Sequence, residues 1–486
     1  MGNQNQSFNP LGRGEPFFDP HFGLIKRLFF IALVFLVIRN VPLSIFLPPW
    51  SFGDEMAHFD FILKLERGKI PHPCDYLEQD LYLFYRENYD FRYITPDQEL
   101  QPTIPPLKEM GFAGFSYEAK HPPLAHLLYL LTKKIAFPFR LSLNLQLVLF
   151  RLVALVTVVG GLLLIYFGLI RNGLYQPVFY LPLIVIALLA QDMYFSLNID
   201  VFAFFFGSLL IRQLIFLYRR GNSWKNWVWL SLALICAMWV KATAVLLFGV
   251  VAIYILFMTI TSQEKAREWW RRKGLISLGL AAILSLPWYV YNFIRFGHPF
   301  VPQSSYPVLG NPTYPVAGLS LKNVIIFFQA LTRTIIRGEF IWKGNYFEIL
   351  PPGWAREILM TVVPLIGLIA GFVFLSSRFF AQKITRFEDK SIRENTRLEF
   401  FFLLAGELII GVLLVGYLWI GQLPYYQVRL SFSCLYLIVF AFITGWLKVT
   451  RKKTWAILTI FILLFVYSLG HTLVLGKEVF FGNHGF

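Results

Sequence analysis

Two adjacent carboxylates and a histidine, Asp54, Glu55 and His58, stand just past the first long apolar segment of the chain. Residues four apart share one face of a helix, so Asp54 and His58 would lie together, with Glu55 turned away by about 100°. A carboxylate there could act as a general base on a hydroxyl, or hold a divalent metal together with His58. An acidic first turn that interacts favourably with the helix dipole is an equally good explanation at this point.

A second polar element opens the next apolar segment, where Lys120 and His121 precede Pro122 and Pro123. Proline is pre-organised for the first position of a helix, so we expect Lys120 and His121 where the chain re-enters the bilayer, on the same side as Asp54. These groups could bind a lipid phosphate. The alternative is an ordinary helix start with interfacial Lys and His residues.

Two later elements also bring polar groups to the end of an apolar stretch. Asn292 and Arg295 follow Trp288 and could contact a lipid headgroup, although an aromatic belt at the interface explains the Trp and Tyr residues here without a function. Arg429 begins a late apolar stretch, and its guanidinium suits two-pronged contact with phosphate.

Three charged residues, Arg151, Asp200 and Lys241, lie within or next to apolar stretches. An arginine at mid-membrane costs roughly 2.5–3.5 kcal/mol on insertion scales, so it normally faces a partner or a cavity. It can instead lie near a helix end and extend to the interface. A buried Lys241–Asp200 pair is a structural explanation for the other two charges.

The composition indicates an all-α polytopic membrane protein. Of 486 residues, 57% are hydrophobic and only 15% are charged, whereas soluble proteins average about 25% charged residues. Long apolar runs recur from residue 24 to residue 475, as in a bundle of membrane-spanning helices. The net charge of +16 is spread over short loops, so it does not indicate binding to nucleic acid. The three cysteines lack the spacing of a disulfide framework.

We expect three parts: a disordered cytoplasmic tail (1–23), a single transmembrane catalytic domain (24–475) and a short tail (476–486). The first apolar stretch is too long for a signal-peptide core and should remain as an anchor. The candidate spans are residues 24–47, 123–139, 143–170, 177–195, 198–218, 226–241, 242–260, 274–292, 355–376, 399–421, 429–447 and 455–474.

Charge predicts that two long loops, 48–122 and 293–354, lie outside the cytoplasm. The first holds thirteen of the 28 acidic residues against seven Lys and Arg. The second lies one crossing away from basic stretches at 264–273 and 378–397, which the positive-inside rule places in the cytoplasm. Both loops exceed the usual connection of about 4–6 residues and are therefore candidates for function.

The number of crossings between two outer loops must be even, yet seven candidate spans separate them. Either 226–260 is one helix broken near Lys241, or 123–139 does not cross fully because Lys133 and Lys134 interrupt it. We expect about 11 spans in total, alternatively 13, with the N-terminus inside. In the first outer loop, residues 54–67 have helical periodicity and predict an amphipathic helix at the membrane surface.

The order of these elements resembles the polytopic GT-C glycosyltransferases, in particular the branch of protein O-mannosyltransferases and aminoarabinose transferases. In that family an Asp-Glu pair or a lone Asp follows the first membrane helix, as Asp54-Glu55 does. A Lys- or His-Pro-Pro-Leu element opens the second, as His121 to Leu124 does, and an arginine in the third is similar to Arg151.

Two later elements extend the resemblance over residues 24–450. The stretch 288–300 resembles the family's Trp-Tyr…Asn…Phe-Gly-x-Pro-Phe element. Gln427-Val428-Arg429 resembles its Gln-x-Arg element, although Leu430 stands where the family usually has tyrosine.

The resemblance implies a GT-C-type bundle in which interfacial helices occupy the two outer loops. It also implies an inverting reaction on the extracytoplasmic face of a bacterial plasma membrane. A sugar would pass from a polyprenyl-phosphate donor to a hydroxyl on a glycan, lipid or protein acceptor. Asp54 would be the general base, with Glu55 assisting it. The residues expected to bind the donor and its phosphate are His58, Lys120, His121, Arg151, Asn292, Arg295 and Arg429. Metal dependence stays open: Mg, Mn or Zn could bind, with Asp54 and His58 as ligands.

Two other classes of function remain as alternatives. A membrane transporter could use Arg151, Asp200 and Lys241 to line a pathway. A membrane metalloprotease is the weaker one: the Asp54-Glu55-x-x-His58 spacing matches His-Glu-x-x-His, but Asp replaces the first histidine. A purely structural role would give no reason for the shared placement of the cationic groups.

Overall fold

A computed structural model describes residues 22–47, 49, 54–88, 114–136, 141–189, 191–262, 264–299, 318–337, 363–382, 390–420, 431–450 and 454–481. The regular structure within these ranges is helical, and a single β-bridge joins Tyr76 to Phe115. The helices are α1 (Phe22–Phe46), α2 (Glu55–Glu66), α3 (Gln79–Asn88), α4 (Leu124–Ala136), α5 (Leu143–Arg171), α6 (Pro177–Leu188), α7 (Asp200–Arg220), α8 (Trp224–Val240), α9 (Val245–Thr261), α10 (Glu264–Phe296), α11 (Leu321–Arg337), α12 (Val363–Gln382), α13 (Lys390–Ile420), α14 (Leu435–Val449) and α15 (Thr454–Phe481).

Six stretches among the described residues are long and apolar enough to cross a membrane, and they belong to α1, α5, α7, α9, α10 and α13. Shorter apolar stretches lie in α6, α8, α11, α12, α14 and α15. The class expected from composition is therefore confirmed: the protein is a helical, multi-pass membrane protein. The total of 11 or 13 spans stays a prediction.

Helix α4 is short for a membrane span. It has 13 residues, or about 20 Å at 1.5 Å per residue, against about 30 Å of hydrocarbon. Lys133 in its last turn binds Glu66 at the end of α2, with Nζ 2.6 and 2.7 Å from the two carboxylate oxygens. Of the two explanations for the odd number of crossings, this length favours an incomplete crossing at 123–139.

The other suspected stretch, 226–260, is broken where its lysine stands. Helix α8 ends at Val240, Lys241 is extended, and a 3-10 turn at Ala242–Ala244 leads into α9. Both helices pack against α10.

Helix α2 occurs where periodicity predicts it, but its buried residues are not confined to one face. All its side chains from Glu55 to Lys64 are buried, so the expectation of an apolar stripe beneath a water-facing side is wrong. The polar side chains avoid the cost of burial by bonding to protein groups, as Lys64 does with the carbonyl of Tyr76 at 2.6 Å. The helix is held inside the protein and can position side chains on several faces.

The core is built around α6, whose residues are all buried. A helix that is apolar on every side is usually buried among other parts of the protein. Helices α1 and α14 pack against α6, while α5 packs along α7 and α7 along α8.

Between α6 and α7 the chain is buried without forming an α-helix. A 3-10 turn spans Asp192–Tyr194, and the side chains of 193–199 are buried. Such backbone at membrane depth must have its polar groups satisfied within the protein. The hydroxyl of Tyr129 donates to the Asn198 carbonyl at 2.7 Å, and Arg39 donates to the Leu189 carbonyl at 2.7 Å. This buried connection reaches the candidate site through Leu197.

Helices α12 and α14 cross in close contact at two glycines. A Cβ atom on Gly445 would overlap the carbonyl of Gly367, so the contact requires glycine at this position. Small residues at such crossings allow membrane helices to approach closely.

We therefore expect Gly445→Ala to lower the apparent unfolding temperature in detergent, because overpacking costs about 1–3 kcal/mol. Gly411→Ala in α13 is the matched control, since a Cβ there would meet nothing within 4 Å. It should leave the unfolding temperature unchanged or raise it slightly, because Gly is about 1 kcal/mol less favourable than Ala in a helix. Equal shifts for the two variants would contradict the close crossing.

Candidate active site

Glu55 and Arg151 form a two-pronged ion pair whose side chains are both 0% exposed. The guanidinium Nε lies 2.8 Å from Oε1, and NH2 lies 2.6 Å from Oε2. The Leu197 amide also donates to Oε1 at 2.9 Å, and Arg151 NH1 donates to the Leu47 carbonyl at 2.8 Å. The pair thus joins the end of α1, the start of α2, the middle of α5 and the buried connection before α7.

This pairing changes the roles suggested by the sequence. Glu55 was expected to assist the base and Arg151 to bind the donor phosphate, but each faces the other in a site closed to solvent. The sequence left three explanations for Arg151: a partner, a cavity or a position near a helix end. The structure shows that it has a partner, Glu55.

Asp54 lies at the start of α2 and is only half-buried. Its Oδ1 accepts a hydrogen bond from the Tyr117 hydroxyl at 2.8 Å. Asp54, His58 and Glu118 each place a potential metal-ligating atom within 4.8 Å of the others. Asp54 and His58 therefore lie close together, as expected. Glu118, from a segment some sixty residues further along the chain, places a second carboxylate beside them.

Asp60 and Lys64 of α2 hold that distant segment in place. The Asp60 carboxylate accepts from the Ser116 hydroxyl and, at 2.8 Å, from the Glu78 amide. Lys64 binds the same Ser116 hydroxyl and lies 2.9 Å from Asp60. Because Ser116 immediately precedes the 3-10 turn Tyr117–Lys120, these bonds bring Tyr117 and Glu118 against the first turn of α2.

Glu118 is surrounded by nitrogen groups. Its carboxylate lies 3.1 Å from His121 Nε2, 3.7 Å from His58 Nδ1 and 3.8 Å from Lys120 Nζ. Burial alone would raise the pKa of Glu118, but the charge of Lys120 and the hydrogen bond from His121 hold it well below its usual range. The carboxylate is therefore ionised at neutral pH.

His121 is held near the neutral form. Burial lowers the pKa of its imidazole, and the neighbouring Glu118 carboxylate only partly opposes this effect. His121 Nε2 faces Glu118 at 3.1 Å, so a neutral ring that donates to Glu118 leaves Nδ1 as an acceptor, and only the protonated ring can donate to an oxyanion as well. The half-buried side chains of Lys120 and His121 therefore offer one cation and one imidazole that donates to an oxyanion when it is protonated.

His126 is a site residue that the sequence analysis did not single out. It is fully buried, with Nε2 3.1 Å from His58 Nδ1 and its ring stacked on Phe61 at 4.0 Å between centroids. Glu118 and Tyr117 were missed in the same way. The available signal was spacing: Glu118, His121 and His126 flank the Pro-Pro helix start at intervals of three and five residues.

Lys241 and Asp200 bind each other in the protein interior. The buried Lys241–Asp200 pair suggested by the sequence is thus present in the structure. Lys241 is also close enough for its charge to act on His121, so this pair lies near the cationic side of the site.

Asn292 and Trp288 contact the same segment from α10. Both donate to the Lys120 carbonyl, from Asn292 Nδ2 at 3.4 Å and from Trp288 Nε1 at 3.5 Å. Arg295 lies one turn further on, bonded to the Tyr291 hydroxyl. Asn292 therefore supports the backbone of Lys120. The remaining predicted site residue, Arg429, lies outside the described residues.

No family model matches the chain, and a search of curated proteins finds no match either. The functional assignment consequently rests on the motifs and on the geometry of the site.

A double-mutant cycle tests the buried pair. Removing one partner, as in Glu55→Met or Arg151→Met, should destabilise the protein by about 3–5 kcal/mol, because the other charge stays buried without compensation. The double variant should be more stable than the sum of the single losses predicts. Apparent unfolding free energies in detergent provide the measurement.

The pair Arg67–Asp80 is a matched control, since 42% of the Arg67 side chain and 69% of the Asp80 side chain are exposed. Its single variants should cost about 1 kcal/mol or less, as surface pairs do. Additive losses for Glu55 and Arg151 would show that the two side chains act independently and would contradict the pairing.

Proposed function

We propose that the chain is an inverting membrane glycosyltransferase of the GT-C type, acting on the extracytoplasmic face of a bacterial plasma membrane. It would move a sugar from a polyprenyl-phosphate donor to an acceptor hydroxyl. The observation that carries this proposal is the position of Glu118, whose carboxylate lies within 4.8 Å of Asp54 and 3.1 Å and 3.8 Å from His121 and Lys120. We infer that the half-buried Asp54, Lys120 and His121 line one site. A base for the acceptor thus stands beside donors for the leaving phosphate.

Asp54 acts as the general base on the acceptor. As the acceptor oxygen bonds to the anomeric carbon, its proton passes to Asp54. The bond between that carbon and the phosphate oxygen breaks, and its electron pair leaves with the polyprenyl phosphate. The Tyr117 hydroxyl on Oδ1 fixes the orientation of the carboxylate. General base catalysis typically contributes 10²–10⁴-fold.

Lys120 and His121 bind the departing phosphate. The charge on the phosphate grows as the glycosidic bond breaks, so donors already in place stabilise the transition state more than the ground state. Asn292 and Trp288 hold the Lys120 backbone from α10. Arg295 and Arg429 remain proposed contacts of the lipid-linked donor.

Glu55 and Arg151 have a positioning role in this mechanism. Their ion pair fixes the first turn of α2, and Asp54 is the residue directly before Glu55. Holding reacting groups in place can supply roughly 7–11 kcal/mol of a barrier, so a buried anchor next to the base has functional value without touching the substrate.

The transporter alternative depended on Arg151, Asp200 and Lys241 as residues of a pathway. The two buried ion pairs, Glu55–Arg151 and Lys241–Asp200, account for all three charges structurally. The protease alternative lacks a general base, because Glu55, which would fill that role, is bound to Arg151.

Asp54→Asn should lower sugar transfer from a radiolabelled polyprenyl-phosphate donor by about 10²–10⁴-fold, because the amide cannot accept the proton. Transfer is measured with purified protein in lipid, using several acceptors and donor sugars. Asp80→Asn is the matched control, since 69% of the Asp80 side chain is exposed and it binds Arg67 at the surface. It should retain wild-type transfer. Undiminished transfer by Asp54→Asn would overturn the assignment of the base.

A further inference from the structure

We propose that Asp54, His58 and Glu118 bind one divalent transition-metal ion of zinc-like ligand preference. The sequence suggested only Asp54 and His58 as ligands, and it left Mg, Mn and Zn open. The structure adds a second carboxylate, Glu118, from a distant segment of the chain.

The spacing of the ligand atoms fits a small ion. Bonds of about 2.0–2.2 Å in a tetrahedral zinc site place neighbouring ligand atoms about 3.3–3.6 Å apart. His58 Nδ1 lies 3.7 Å from Glu118 Oε2. Asp54, His58 and Glu118 lie within 4.8 Å of one another. A small rotation of the half-buried Asp54 side chain would bring its carboxylate to bonding distance.

The two carboxylates are oriented from behind by further hydrogen bonds. The Tyr117 hydroxyl binds Asp54 at 2.8 Å, and His121 Nε2 lies 3.1 Å from Glu118. Metal-binding carboxylates are usually held by such outer contacts. These bonds are made by residues outside the ligand set and are therefore independent of the ligand spacing.

The ligand types decide the class of metal. Mg²⁺ and Ca²⁺ prefer sites made of oxygen ligands, whereas imidazole suits zinc and neighbouring transition metals. An imidazole with two carboxylates therefore favours zinc, cobalt or manganese over magnesium. The ion would bind one carboxylate oxygen of Asp54 and leave the other to take the proton of the acceptor. Metal binding does not require sugar transfer, so the two proposals can fail separately.

The test is metal binding by the purified full-length chain, stripped with chelator and titrated with Co²⁺ without any sugar donor. We expect about one equivalent of Co²⁺ with visible d–d absorption, displaced by Zn²⁺ but not by Mg²⁺. His58→Gln and Glu118→Gln should each weaken Co²⁺ binding at least tenfold. His72→Gln is the control: His72 belongs to the same region, but its Nδ1 accepts from the Cys74 amide, so binding should be unchanged.

Tyr117→Phe guards against variants that fail to fold, because it keeps all three ligands and loses only the bond to Asp54. Loss of an outer contact typically costs 10–100-fold in metal affinity, and we expect a loss in that range. Substoichiometric Co²⁺ in the folded wild type would overturn the site. Wild-type affinity in folded His58→Gln or Tyr117→Phe would overturn it as well.

Discussion

The arrangement of the candidate site depends on a single buried contact, the ion pair between Glu55 and Arg151. Removing two charges from water costs several kcal/mol for each ion, and an interior pair is tolerated only where its geometry and remaining hydrogen bonds are good. Here the Leu47 carbonyl and the Leu197 amide complete the set. These four groups come from distant parts of the chain, so the pair determines how α1, α2, α5 and the buried connection before α7 fit together.

The chemistry is arranged around the first turn of α2 that this pair fixes. Asp54 precedes Glu55 and remains half-exposed, whereas Glu55 is sealed inside. One acidic residue of the doublet thus anchors the helix and its neighbour is available to a substrate. The segment with Tyr117 and Glu118 is tied to the same helix through Asp60, one turn further along. The proposed base, phosphate donors and metal ligands therefore share one support.

The sequence was informative where the signal is local. Long apolar runs predicted the membrane class, and four-residue spacing placed Asp54 and His58 together. Lys133 and Lys134 marked 123–139 as a doubtful span. What it could not predict were contacts across long separations. Glu55 and Arg151 are 96 residues apart, and nothing local distinguishes an arginine with a partner from one that lines a cavity. Glu118 is one of many acidic residues in its loop, and only folding against α2 gives it a role.

In the proposed mechanism a polyprenyl-phosphate sugar binds with its phosphate at Lys120 and His121 and its anomeric carbon facing Asp54. A cryo-EM structure with a non-transferable phosphonate analogue of such a donor would locate the phosphate. We expect phosphonate oxygens at hydrogen-bond distance, about 3 Å, from Lys120 or His121, with the Glu55–Arg151 pair intact. A phosphonate bound away from this segment, or bound to Arg151 in place of Glu55, would contradict it.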